Sequence, residues 1–149
     1  MKKSFLVFSL VVAIISLQGI NLMAQDEEVP TAVQATFNTM YPAATDIFWE
    51  QDGEEYLATF TQDEYSVDAT FFEDGTWQQS ITGLEVEDLP TAAIALLKKD
   101  FKIESYYNVS KIEVPDNVQY SVNFETDTQY VNLVFDTTGQ LVDKQVEDL

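Results

Sequence analysis

The side chains able to do chemistry here are almost all carboxylates. The sequence holds 26 Asp and Glu, with no His and no Cys. Acidic pairs occur at Glu54-Glu55, Asp63-Glu64, Glu73-Asp74 and Glu87-Asp88, with Glu85 close by. Two carboxylates can divide acid and base roles, as in glycoside hydrolysis. That needs an apolar setting to raise one pKa, and these pairs fall in turns and connectors, where acids are simply solvated. Ser-His and Cys-His nucleophiles are excluded by composition. A zinc site would have to be built from carboxylates alone. The five Gly are isolated, so no phosphate-cradling loop exists. Calcium is the ion that loop carboxylates would suit. Gln51-Asp52-Gly53-Glu54 and Glu73-Asp74-Gly75-Thr76 lack the spaced D-x-D-x-D-G pattern, however, and Asp-Gly is equally a turn signal. The residues therefore predict no enzyme and no cofactor. An acidic divalent-cation (calcium) binding protein stands as the alternative to a binding module.

The elements that carry these acids repeat. Tyr56, Ala58 and Phe60 alternate, then Tyr65, Val67, Ala69 and Phe71, and a Glu73-Asp74-Gly75 turn leads into Trp77–Ile81, which Thr82-Gly83 closes. Ahead of them Thr45–Glu50 is a strand, and Asp52-Gly53 is a tight hairpin. Val29-Pro30 opens a helix carrying Val33, Phe37 and Met40-Tyr41 on one face, and Pro42 stops it. Leu89-Pro90-Thr91-Ala92-Ala93 replays Val29–Val33 at an offset of 60. Tyr120-Ser-Val122-Asn-Phe124 and Phe135–Leu141 replay Tyr56–Phe60 and Phe71–Trp77 at an offset of 64. The difference places an insertion near Glu104–Tyr107. The expected fold is α+β: a tandem repeat of a helix plus a four-stranded antiparallel meander, residues 25–88 and 89–149. One such unit is marginal alone, so the repeats share a continuous sheet with both helices on one face.

Residues 1–24 read as a secretory signal peptide. Met1-Lys2-Lys3 is positive, Phe5–Ile15 is apolar, and Leu22-Met23-Ala24 ends in a small residue before Gln25. Ser16, Gln18, Gly19 and Asn21 break the run short of a good membrane span. Export to the periplasm or beyond would permit disulfides, but no Cys is present. Residues 25–149 keep five of the seven basic residues and all 26 acids, a net charge of −21. That charge repels nucleic acid and anionic membrane and favours solubility and cationic partners.

The signal peptide, the Val29-Pro30 and Leu89-Pro90 helix starts, Tyr41-Pro42 ahead of a strand with Trp49, and the Phe-(Glu/Asp)-…-Gly turns together resemble the PepSY-like exported proteins of Bacteroides-type bacteria. The resemblance covers residues 29–145. It implies a fold similar to that of beta-lactamase inhibitory protein (BLIP), a tandem repeat, an exported location and no enzyme activity. It does not imply beta-lactamase inhibition, because one fold carries many surfaces.

Comparing the two copies points to a partner-binding surface. Trp49 stands where the second copy has Glu113, Leu57 where it has Ser121, and Phe72 where it has Asp136. Polar counterparts imply that these three face away from the helices, either as anchors for a protein or peptide or covered by the connector or a dimer mate. Tyr106 and Tyr107, in the inserted segment, are further candidate anchors.

Overall fold

The computed structural model describes residues 28–101 and 108–149. The expected leader at 1–24 and the candidate anchors Tyr106 and Tyr107 lie outside the described residues. Eight strands form one antiparallel sheet in chain order: β1 (Thr45–Asp52), β2 (Glu55–Gln62), β3 (Tyr65–Phe72), β4 (Trp77–Leu84), β5 (Asn108–Val114), β6 (Asn117–Glu125), β7 (Gln129–Phe135) and β8 (Leu141–Asp148). Helix α1 (Thr31–Met40) precedes β1, and α2 (Thr91–Asp100) precedes β5. The acidic connector forms a short 3-10 turn, Val86–Asp88.

Each helix starts just after a proline. Pro30 and Pro90 occupy the cap rather than the first helical position expected of them, and the Pro30 carbonyl accepts the Gln34 N–H at 3.0 Å. Nothing is lost there, because a proline's missing N–H would have no helical partner. Val33 and Phe37, and likewise Ala93 and Leu97, are four residues apart and buried. Pro42 blocks continuation of α1, which ends at Met40.

Strand alternation decides what lies under the helices. Tyr56, Ala58 and Phe60 pair with Phe71, Ala69 and Val67, and all six are buried with Val33 and Phe37. The Phe37 ring meets Phe60 edge-on at 5.0 Å and Trp49 at 5.1 Å. Such pairs are worth about 0.5–1.5 kcal/mol each beyond the area they bury. The second cluster joins Ala93 and Leu97 to Val109, Val122, Phe124, Val131, Leu133 and Phe135. The two clusters are linked through the sheet. Directly paired residues share a side, and the row Val67–Thr82–Lys111–Tyr120–Phe135 starts in one cluster and ends in the other.

Strand β4 is longer than the sequence predicts. Thr82-Gly83 was expected to end it, yet it runs to Leu84, because β5 pairs along it from Ser80↔Glu113 to Leu84↔Val109. Pairing with β5, which continues past the last β3 pair Val67↔Thr82, outweighs the weak strand propensity of one glycine.

Two glycines seat the helices. Gly75 has φ +85°, and a Cβ there would lie 2.6 Å from the Ala32 carbonyl oxygen in the first turn of α1. Gly139 has φ +83°, and its Cβ would lie 2.7 Å from the Ala93 nitrogen in α2. Gly53 also has positive φ but open space around it. Both Gly53→Ala and Gly75→Ala should lose about 1 kcal/mol to the left-handed backbone. Gly75→Ala should lose at least about 1 kcal/mol more, because helix backbone must move. Urea denaturation of the two variants side by side checks the difference; equal losses would refute the seating role.

Candidate partner-binding face

The sheet side opposite the buried clusters divides into an apolar half and an amide half. In the first half the row Phe48–Thr59–Asp68–Ile81–Ile112–Gln119 crosses six strands. Beside it run Glu50–Leu57–Thr70–Gln79 and the pair Glu55–Phe72. Phe48 is 56% exposed and Phe72 39%, while Leu57, Ile81 and Ile112 are half-buried. Thr59 donates to Asp68 Oδ1 at 2.7 Å, and Gln78 Nε2 donates to Glu55 Oε1 at 2.9 Å. Glu54, Glu73 and Asp74 surround Phe72 in an open depression.

In the second half four amide side chains form one row, Asn108–Asn123–Asn132–Gln145. Asn132 Nδ2 donates to Ser121 Oγ at 2.9 Å and also reaches Asn123 Oδ1. Tyr130 donates its hydroxyl to Asn123 Oδ1 at 2.8 Å. Burial, then the charges of Glu147 and Glu125, push the Tyr130 pKa up.

Leu57 and Phe72 lie on this side of the sheet. Trp49 does not. It pairs with Ala58 and packs between Phe37 and Phe71, on the core-lining side. The expectation failed because Glu113, its polar counterpart, is itself on the core-lining side, paired with Ser80. Glu113 ion-pairs there with Lys111 at 3.0 Å. Glu113 is polar because it lies at the seam between the two halves, not because its side of the sheet faces solvent. The aromatic that does stand outward is its neighbour Phe48.

The seam carries its own polar cluster. Ser80 is buried, accepts Trp77 Nε1–H at 2.8 Å and hydrogen-bonds the Tyr41 hydroxyl. Burial, opposed by the bond to Ser80 and reinforced by the charge of Glu113, raises the Tyr41 pKa. Ser80→Ala should cost roughly 1–3 kcal/mol, since Trp77 and Tyr41 both lose their partner in a place water reaches poorly. Chemical denaturation measures it, and a loss under about 0.5 kcal/mol would refute the role.

Asp136, the counterpart of Phe72, is a turn-forming residue. Its Oδ1 accepts the Thr138 hydroxyl at 2.7 Å, the Thr138 N–H at 2.8 Å and the Gln140 N–H at 3.0 Å. In the first half of the sheet Asp74 plays this part, accepting the Thr76 N–H at 2.8 Å. Hydrogen bonding, led by the Thr138 side chain, holds the Asp136 pKa below the usual carboxylate value. A depressed folded pKa means stabilisation that is full above the unfolded pKa and is lost as pH falls through the folded one. Asp136→Asn keeps the acceptor and removes the titration. Thermal melts from about pH 5 to about pH 2 should therefore fall less steeply in Asp136→Asn than in the parent. Parallel curves would overturn the assignment.

The other acid pairs also have structural places. Asp63 and Glu64, at φ +51° and +74°, form the β2–β3 turn. Asp88 Oδ2 accepts the Glu85 N–H at 2.9 Å and the Tyr65 hydroxyl at 3.0 Å. Among the described residues no group of three or more acids is placed to hold a metal ion, and no helix is long and apolar enough to cross a membrane.

No family model and no curated protein matches this sequence. The fold is shared with solved structures from Bacteroides. A BLIP-like protein from Bacteroides fragilis superposes with a TM-score of 0.70 at 26% identity, over 80% of this chain and 86% of that one. A DUF2874 family protein from Bacteroides ovatus gives 0.68 at 24% identity, over 78% and 86%. A protein provisionally placed in the periplasm of Bacteroides eggerthii gives 0.68 at 22%, over 79% and 88%. The chain thus has a BLIP-like fold, an eight-stranded antiparallel sheet with two helices.

Proposed function

We propose that this chain is an exported, non-catalytic binding module, built by internal duplication, that holds a protein or peptide on the sheet face opposite its helices. The observation carrying the reading is the exposed apolar set on that face: Phe48 and Phe72 standing out, with Leu57, Ile81 and Ile112 between them. Exposed aromatics on a rigid sheet are the usual anchors of a protein interface. The duplication, with residues 1–24 as leader and repeats at 25–88 and 89–149, is supported by matching contacts. Phe37, Tyr41 and Phe60 pack together in the first half, and Leu97, Phe101 and Phe124 belong to one cluster in the second. The row joining the two clusters through β4 and β5 supports both helices lying on one side. The likeness to a BLIP-like structure and to a protein assigned to the periplasm supports export and a binding rather than catalytic role. The PepSY-like assignment rests on the sequence resemblance.

Charge narrows the partner. The face carries Glu50, Asp52, Glu55 and Asp68 in one half and Glu125, Asp143 and Glu147 in the other. The described lysines lie elsewhere: Lys98 and Lys99 on α2, and Lys111 and Lys144 in core-side rows. A partner that covers the face must bring cations to it.

The processed protein, used as bait for an envelope fraction, should enrich a partner that the Phe48→Ala/Phe72→Ala variant loses by about tenfold or more. The variant should keep its melting temperature to within a few degrees, as surface truncation predicts. Equal capture by both baits would overturn the site.

A further inference from the structure

We propose that the free edge of β8 is a second docking site, which adds an extended strand of alternating apolar and basic residues from another protein. This rests on the duplication proposed above, and it concerns a sheet edge rather than the sheet face.

Strand β8 corresponds to β4 at the offset of 64. In the first half the outer edge of β4 is taken by β5 over five residue pairs, Ser80↔Glu113 to Leu84↔Val109. Among the described residues nothing takes the equivalent edge of β8, and all eight of its residues are exposed. The molecule therefore contains a worked example of a strand seated on this type of edge. The edge is in usable form. Its irregularity is confined to the start, near Leu141, and from Asp143 to Asp148 its pairing with β7 runs without a shift over six residues. The other edge of the sheet is different: β1 breaks register between Thr45 and Phe48, with Asp46 at φ +53°. A bulge of that kind blunts an edge against further pairing.

Side chains define the occupant. On the core-lining side β8 presents Val146, exposed and paired with Val131, between Lys144 and Asp148. On the other side it presents Asp143 and Glu147, flanking Gln145. An added strand would place an apolar residue beside Val146 and basic residues beside the two carboxylates, which is the period-two pattern of one strand. A second copy of this chain does not fit. Its own edges bring Asp46, Glu50 and Asp52 from β1, or Asp143, Glu147 and Asp148 against the single cation Lys144 from β8, and each processed chain carries a net −21. Like charges set opposite each other disfavour that pairing.

The test uses the processed protein and two synthetic strands of about eight residues, one alternating Val and Lys, the other Val and Glu. Amide hydrogen exchange read by mass spectrometry should show the Val-Lys strand slowing exchange in Leu141–Asp148 by about tenfold or more while β1 stays unchanged. Its affinity should fall as salt rises from about 0.05 M to about 0.5 M. The Asp143→Lys/Glu147→Lys variant should reverse the preference toward the Val-Glu strand. Protection outside β8, or equal binding of both strands to the parent, would overturn the proposal. The Phe48→Ala/Phe72→Ala variant separates the two sites: it should bind the Val-Lys strand as the parent does, and loss of binding there would place the strand on the face and reject the edge.

Discussion

The pairing of β4 with β5 is the constraint on which the rest of the molecule depends. Each half is a single amphipathic helix over four strands, about the size at which burial barely offsets conformational entropy. The pairs from Ser80↔Glu113 to Leu84↔Val109 turn two marginal units into one sheet with a core on either side of the join. The seam also explains its own composition. Gly83 and Thr82, read alone, are strand breakers or turn residues, yet Thr82 is paired on both sides and Gly83 is held in the strand by β5.

The same position acquires different chemistry according to whether a neighbour covers it. Ser80 in β4 corresponds to Lys144 in β8, and Tyr41 after α1 corresponds to Phe101 after α2. At the covered seam a buried hydroxyl joins Tyr41 and Trp77 through hydrogen bonds, because a charge there would have to be desolvated. At the open edge Lys144 lies over the Phe101 ring at 5.5 Å with its ammonium in reach of water. Geometry is kept, and solvent access decides which residue serves.

Most of the architecture was legible because it rests on local rules. Period-two alternation in Tyr56–Phe60 and Tyr65–Phe71, the two X-Pro helix starts and the glycine turns are visible without tertiary knowledge. The side on which Trp49 lies was also legible, but from a different signal. A two-residue Asp52-Gly53 turn would pair Gln51 with Glu54 and set Trp49 beside Tyr56, an inward residue; the hairpin closes instead at Asp52↔Glu55 around Gly53-Glu54, which keeps the same side. Counting three residues outward from that closing pair sets Trp49 beside Ala58, which belongs to the inward set, and leaves Phe48 outward. Polarity of the repeat counterpart was the weaker guide, since a seam position tolerates Glu113 when Lys111 is at hand.

Orientation by counterpart is a weak guide at Phe72 for a separate reason. Asp136 is polar because it must accept three hydrogen bonds in its turn, which says nothing about what its side of the sheet meets. In the first half Asp74 does this work two residues later, and position 72 is released from it. A large aromatic there, next to Glu54, Glu73 and Asp74, is not required by the turn, the helix or the core. A side chain that no structural duty explains is one on which a functional reading can stand, and Phe48 and Phe72 are two such side chains, their rings carried outward among carboxylates.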